Sequence, residues 1–400
     1  MNDTLITRDS LGKIRIIFIS CEWSEKLNAY IISRQTGLYN GKLIDQPLIE
    51  INRGKVKRTI KEQAELEYNS NRKKYLDKGY KSIKEFGYDN LTQFNPDEIL
   101  PTDEVTNSNG VIKPMLAKPY QDVSTNALNK EYFCSRKING TRALIFQQNS
   151  ERFAASRGSM FYNEAVDHIL NHPKLINFFD KHPDIILDGE IYKHGESLNN
   201  ISGIVRKQEI TEESNKLEFY LYDIVDTRMP FSERYKILKD IEIELELEFD
   251  PIKEWDKNDL KIQFVPHIIL SGWSSLKKYH DIYVNEGWEG IIARTLTDVY
   301  KPGKRGGHML KIKDYFDAEY KIIGLVDGLR EEDMCFLMET PNGNQFKAKP
   351  IGNRALKQWY QENINDIIGK MGTVKYFEMS GAGTDIPQQP IFLRIRQEND

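Results

Sequence analysis

Four hundred residues, 39% of them hydrophobic and 29% charged, are enough for two or three cores, and 56 lysines and arginines against 60 acids leave a net charge of −4. Acids and bases are mixed into the first twenty residues and no later run approaches the roughly eighteen apolar residues of a membrane span, so neither a secreted nor a membrane-embedded chain is expected. Cys21, Cys134 and Cys335 are odd in number and far apart, which argues against a disulfide framework or a structural zinc site and for a reducing, cytoplasmic setting.

Along the chain the charge is uneven. Bases dominate from Arg53 to Lys84, including Lys55, Lys57, Arg58, Lys73, Lys74 and Lys78, whereas Glu242 to Asp259 is acidic. Thr59 followed by Glu62 reads as a capping box, and Ile60, Ala64 and Tyr68 recur at i+4, so a helix is expected to start there with its bases toward solvent. A solvated face and a nucleic-acid surface are both open readings of these bases. Gly87 to Lys113, with Asn95-Pro-Asp97, Pro101-Thr-Asp103 and Asn107-Ser-Asn-Gly110, is rich in turn formers and is read as a linker.

Short β-rich runs follow at Tyr132 to Arg136, Ala143 to Gln147, Phe153 to Ser156, Ile185 to Leu187, Phe219 to Val225 and Gly290 to Ala293. Helical patterns over Asn126 to Asn129, Ala165 to Phe179 and Phe231 to Glu248 interrupt them, giving an α+β body. Beyond Tyr315 come further strand-like runs beginning at Tyr320, Cys335, Gln345 and Val374, with one helix near Leu356 to Ile368. That texture fits a small five-stranded β-barrel of the OB type.

Lys137-Ile-Asn-Gly-Thr-Arg142 follows one strand and opens onto the next, placing the lysine at a strand end. Ser156-Arg157-Gly158, Leu187-Asp-Gly-Glu190, Leu221-Tyr222-Asp223, Glu289-Gly-Ile-Ile-Ala-Arg294 and Leu310-Lys311-Ile-Lys313 come after it in that order. In the last of these, Lys311 and Lys313 alternate with apolar residues, so on a strand both ammonium groups share a face. The histidines show no metal-ligand spacing, and all seven are read as structural.

The succession resembles the covalent nucleotidyltransferases, and within them the ATP-dependent DNA ligases of the compact viral or phage kind. The resemblance implies three units: an N-terminal accessory domain with linker over 1–112, an adenylation domain over 113–316 and an OB barrel over 317–400. It implies a lysyl-adenylate on Lys137, with Arg142, Lys311 and Lys313 disfavouring the protonated amine and offsetting phosphate charge. Glu190 and Glu289 would hold Mg²⁺, with Mn²⁺ as an alternative, or the ribose; Tyr222 would stack on adenine; Arg396 would orient the pyrophosphate. Arg157 and Arg305 would meet the 5′-phosphate of nicked duplex DNA.

One departure is Asn139, where most DNA ligases have aspartate. Gly37 to Gly41, Gly54-Lys55, Gln63-Ala64 and Lys78-Gly79-Tyr80 look similar to a tryptophan–glycine–arginine domain that binds DNA ends, without that Trp or Arg. Lys55, Lys57, Arg58, Lys73 and Lys74 are the expected DNA contacts there. The chain is expected to act as a monomer in DNA replication, repair or recombination, in the host cytoplasm if viral. ATP is the expected donor because the four-cysteine zinc module of NAD-dependent ligases has no counterpart. An RNA ligase of the same superfamily, or a non-catalytic nucleic-acid binder retaining the fold, are the competing readings.

Overall fold

The computed structural model describes residues 1–400 apart from 10–11, 77–78, 90, 92–94, 101–104, 108, 159, 257, 328–333, 381–384 and 397–400. At the N-terminus, strands Asn2–Arg8, Ile14–Ser24 and Ala29–Leu38 form an antiparallel meander, edged by Leu43–Asp45 and Ile49–Ile51 on one side and Lys81–Ser82 on the other. Because side chains alternate along a strand, the meander has two apolar faces. Ile19, Cys21 and Ile32 receive Ala64 and Tyr68 of helix Ile60–Leu76, while Ile6 and Ile16 pack with Ile83 and Leu100.

The helix begins as expected. Thr59 N donates to Glu62 Oε2 at 2.8 Å and Glu62 N donates to Thr59 Oγ1 at 3.2 Å, the reciprocal capping box. Arg72 ties the helix to the sheet through buried Asp3. The stretch read as a linker is anchored at both ends. Leu100 belongs to the N-terminal core and Val111 packs with Leu144 and Ala155 of the next body. Pro101 to Asp103, Ser108 and Lys78 lie outside the described residues.

The central body holds two five-stranded sheets. One contains Thr141–Gln148, Glu151–Ser156, Leu187–Tyr192, Glu218–Ile224 and Ile262–Phe264; the other contains Leu116–Pro119, Glu131–Arg136, Ile268–Ser271, Ile291–Thr295 and Arg305–Ile312. Their inner faces share one core, with Tyr132, Cys134, Ile145, Leu187, Phe219, Ile291 and Leu310 at 0–1% exposure. Residues 137–140 carry the chain from the second sheet to the first, so Lys137 sits where the two sheets meet.

In the central body three expected elements differ. The strand expected over Ile185 to Leu187 runs Leu187–Tyr192, because Ile185 N is taken by a turn to His182 O at 3.2 Å. The helix expected over Ala165 to Phe179 is broken into Glu164–Val166, Asp167–Leu170 and Pro173–Lys181, since Pro173 has no N–H with which to continue and instead starts a new helix. The helix expected to reach Glu248 stops at Glu244, with Glu246 in the left-handed region at φ 54°.

The last five strands, Phe316–Asp327, Met334–Glu339, Gln345–Pro350, Met371–Tyr376 and Ile391–Ile395, close into a barrel. Met334, Phe336 and Met338 face inward at period two with Phe346, Ala348 and Phe392, and the helix Arg354–Glu362 adds Tyr360 to that core. The single helix expected near Leu356 to Ile368 ends at Glu362 and restarts at Ile364–Ile367. The strand expected from Val374 starts at Met371 and stops at Tyr376, which frees Phe377 and Glu378 to leave the barrel wall. Among the described residues no helix is long and apolar enough to cross a membrane.

Candidate active site

A cavity of about 710 Å³ opens between the two sheets of the central body, lined by Lys137, Arg142, Arg157, Glu190, Tyr222, Glu289, Arg305, Lys311 and Lys313. The loop carrying Lys137 is zipped to the one before Ile291–Thr295: Lys137 N donates to Gly290 O at 2.9 Å and Glu289 N to Lys137 O at 3.1 Å. Gly140 lets the same loop press on the Leu187–Tyr192 strand, since a Cβ there would lie 2.3 Å from Ile191 O. Gly290 has φ 141° and backs onto Ile312, where a Cβ would sit 2.2 Å from the carbonyl oxygen.

Glu289, 8% exposed, is bridged by two ammonium groups. Lys137 Nζ donates to its Oε2, and Lys313 Nζ to its Oε1 at 2.9 Å. Burial pushes the Glu289 carboxyl up, but Lys137 and Lys313 outweigh it and the carboxyl lies below its usual range. Leu310 and Ile312 are buried while Lys311 and Lys313 line the cavity, the alternation expected of that strand. Lys311 is lowered to about 8, first by burial and then by Lys313, Lys137 and Arg305. Cations packed this closely mark a place built for an anion.

Glu190 is pushed up to about 7 by burial, against the pull of Lys137 and Arg142. Tyr222 Oη lies 3.1 Å from Glu190 Oε2 and 3.2 Å from Gly189 O. Its ring is flanked by the guanidinium carbons of Arg294 at 5.2 Å and Arg142 at 5.7 Å from the centroid. Arg142 is itself held. It forks onto fully buried Asp188, donates to Met115 O at 2.6 Å, and shares Asp188 with Tyr300 Oη at 2.7 Å. Sequence reading did not single out Asp188 or Tyr300 as site residues, although Asp188 lies in the same motif as Glu190, because a partner 46 residues away carries no periodic signal.

Ser156 Oγ accepts from Gly158 N at 3.2 Å and Met160 N at 2.8 Å, a turn that leaves Arg157 exposed at the cavity wall. A third part of the chain closes the cavity from the barrel side. Asn139 Nδ2 donates to Glu378 Oε1 at 2.8 Å, Asn199 Nδ2 donates to Ser380 O at 2.7 Å, and Lys313 Nζ lies 4.0 Å from the Phe377 ring centroid. Gln389 joins the lining. Burial raises the Glu378 carboxyl, with the Asn139 hydrogen bond opposing it.

The remaining expected residues lie elsewhere. Arg396 is outside the cavity lining, its backbone N bonded to Met371 O at 2.9 Å across the barrel. Lys55, Lys57 and Arg58 precede helix Ile60–Leu76, with Lys55 Nζ 3.5 Å from Glu67 Oε1 in its middle, and Lys73 and Lys74 occupy its last turn. None of the seven histidines lines the cavity. Among the described residues no group of three His, Cys, Asp or Glu side chains converges on a metal position.

Comparison with known proteins agrees with this geometry. The DNA ligase of African swine fever virus (isolate Tick/South Africa/Pretoriuskop Pr4/1996) is 27% identical over 308 residues, covering 72% of this chain and 69% of the viral one. That of Methanosphaera stadtmanae is 23% identical over 262 residues, 61% and 41% of the two chains. A solved structure from a structure–function analysis of Lig E DNA ligases superposes with a TM-score of 0.54 at 22% identity, covering 72% of this chain and 100% of that one, a likeness of fold. The family model for the ATP-dependent DNA ligase domain matches residues 114–313, the two sheets and every motif from Lys137 to Lys313, and the chain belongs to that family.

Proposed function

We propose that this ATP-dependent DNA ligase seals 3′-hydroxyl/5′-phosphate nicks in duplex DNA through an adenylate on Lys137. The observation that carries the reading is Glu289 shared by Lys137 and Lys313 with Lys311 beside them. Glu289 fixes the direction of the Lys137 amine. In the first step its Nζ–P bond forms as the bond to pyrophosphate breaks, and Lys311 and Lys313 offset the charge on the triphosphate. AMP then passes to the 5′-phosphate of the nick, held by Arg157 with Arg305, and the 3′-hydroxyl finally displaces it. Arg142, locked onto Asp188, orients Glu190 and Tyr222 rather than serving as a loose phosphate contact. Tyr222 offers the ring against which adenine stacks.

Glu190 and Glu289, both in the cavity lining, would hold Mg²⁺ or Mn²⁺, hard cations that take carboxylate oxygens, and such an ion would neutralise charge at the transferring phosphoryl group. We read the C-terminal barrel as an OB fold, supported by its closed strand order, first-second-third-fifth-fourth, and the helix between the third and fourth strands. We take the N-terminal sheet as an accessory domain meeting duplex DNA through its bases, and Arg396 as a barrel residue that reaches the pyrophosphate only after the barrel reorients. We take the protein to act as a cytoplasmic monomer; Cys21 and Cys134 are buried, and among the described residues no disulfide forms.

Incubation with α-labelled ATP should label the chain, and addition of nicked duplex with a 5′-phosphate should chase the label into DNA-adenylate and AMP. A nick with RNA on the 3′ side sealed faster than its DNA counterpart would favour an RNA ligase. A chain that binds nicks but takes no label would be a non-catalytic binder.

A further inference from the structure

Most cations of the cavity have a carboxylate partner. Lys137 and Lys313 share Glu289, Arg142 has Asp188, Arg136 has Glu286 at 2.8 Å, and Arg294 has Asp223 at 3.4 Å. Arg157, Arg206, Arg305 and Lys311 also line it, and among the described residues no hydrogen bond or ion pair engages their side chains. Lys311 and Arg305 lie on the Lys137 side, where Lys137 and Arg305 depress the protonation of Lys311. Arg157 follows the strand Glu151–Ser156 and Arg206 lies in the last turn of the helix Leu198–Lys207, and both line the cavity together with Ser156 and Tyr162.

Arg206 reaches that position by helix geometry. The helix Leu198–Lys207 is capped by Ser197, whose Oγ accepts from Asn200 N at 3.3 Å, and is anchored by fully buried Ile201 and Val205. Leu198, Ser202 and Arg206 recur every four residues and all three line the cavity, so one face of a rigid element carries the guanidinium there. A basic residue in the last turn of a helix is ordinary in itself. An arginine of that kind has no need to share a cavity wall with a second unpaired arginine.

We propose that Arg206 is a further phosphate-binding arginine, which together with Arg157 grips the 5′-phosphate of the nick. The inference rests on the assignment of Arg157 to that phosphate. A phosphate monoester, or its adenylated form, offers several oxygens, and two guanidinium forks can engage them from two elements at once, the turn at Ser156 and the helix end. That division leaves Lys311 and Lys313 for the nucleotide, so Arg206 acts on the DNA-dependent steps and not on formation of the lysyl-adenylate.

The test compares Arg206→Ala, Arg206→Lys and Arg157→Ala in the full chain. Single-turnover sealing of a pre-adenylated nick should slow about 10- to 100-fold in Arg206→Ala, the range of a missing hydrogen bond to a charged group, with Arg206→Lys between it and the unsubstituted chain. Lysyl-adenylate formed from labelled ATP reports that each variant is folded. The decisive quantity is the ratio of affinities for nicks bearing a 5′-phosphate and a 5′-hydroxyl, measured on adenylated protein without divalent metal. Arg206→Ala should lose that discrimination. Equal weakening on both nicks would make Arg206 a contact elsewhere on the backbone, and a loss of adenylation matching the loss of sealing would move it to the nucleotide; either result overturns the proposal. If Arg157→Ala kept full discrimination, the assignment of Arg157 itself would fail, whereas a defect in Arg157→Ala with none in Arg206→Ala would remove only the new assignment.

Discussion

Replacing Asn139 with aspartate, the residue most DNA ligases have there, should impair this chain. Asn139 is two residues past Lys137 and donates to Glu378 of the C-terminal segment at 2.8 Å. The substitution removes that hydrogen bond to a carboxylate, worth about 1.5–3 kcal/mol. It also sets two carboxylates face to face, and at about 4 Å with an effective dielectric near 20 their repulsion is about 4 kcal/mol before relaxation. Proton uptake offers relief, since burial already raises the Glu378 carboxyl. After relaxation the seated barrel should lose about 2–4 kcal/mol, lowering the equilibrium constant for seating about 30- to 1,000-fold. The assay is the rate of lysyl-adenylate formation from α-labelled ATP at neutral pH, expected to fall about 30-fold or more. Lowering the pH should recover part of the rate, because protonating either carboxyl restores a hydrogen bond. Asn139→Asp combined with Glu378→Gln should recover most of it at neutral pH. An unimpaired Asn139→Asp, or a double variant no better than the single one, would show that this hydrogen bond does not hold the barrel on the cavity.

ATP affinity should depend on pH through Lys311, which is lowered to about 8. Below pH 8 the lysine is already charged; above it the free protein has lost that charge, so triphosphate binding must take up a proton and affinity should fall by up to about tenfold per pH unit. Lys311→Arg should hold affinity flat between pH 8 and 9, and equally flat behaviour in the unsubstituted chain would contradict the assignment. Arg142→Ala leaves fully buried Asp188 bonded to Tyr300 but without its guanidinium, so denaturant unfolding should show a loss of about 3–5 kcal/mol; a loss under about 1 kcal/mol would mean that the fork is not structural. Neutralising Lys55, Lys57 and Arg58 should reduce the log–log salt slope of nick binding by about 0.9 for each phosphate no longer neutralised, with adenylation unchanged. Identical slopes would make these bases a solvated face, and the Lys73 and Lys74 group, at the other helix end, then becomes the one to change.

What was legible in the chain was local. The capping box at Thr59 and Glu62, the inward alternation of Met334, Phe336 and Met338, and the shared face of Lys311 and Lys313 all follow from spacing within a few residues. The ordered motifs located Lys137, Glu190, Tyr222 and Glu289 because each lies in or beside a strand of one of two sheets that meet. What escaped was set by pairing over long separations. Glu378 reaches Asn139 across 239 positions, and Tyr300 reaches Asp188 across 112. Arg206 escaped for another reason: its helix has the four-residue spacing of any amphipathic helix, and only the cavity distinguishes the Leu198 face from a solvent face. The helix breaks at Pro173 because the apolar periodicity runs through a residue that cannot continue a helix.

Lys137 is expected to be the nucleophile of the first step and dispensable afterward. The measurement uses Lys137→Ala in two reactions: transfer of label from α-labelled ATP to the chain, and sealing of a nick already carrying AMP on its 5′-phosphate. The account predicts no labelled chain and no sealing of an unmodified nick, but measurable sealing of the adenylated one, because only the first transfer forms a bond to the lysine. A variant that still seals unmodified nicks with ATP would contradict it.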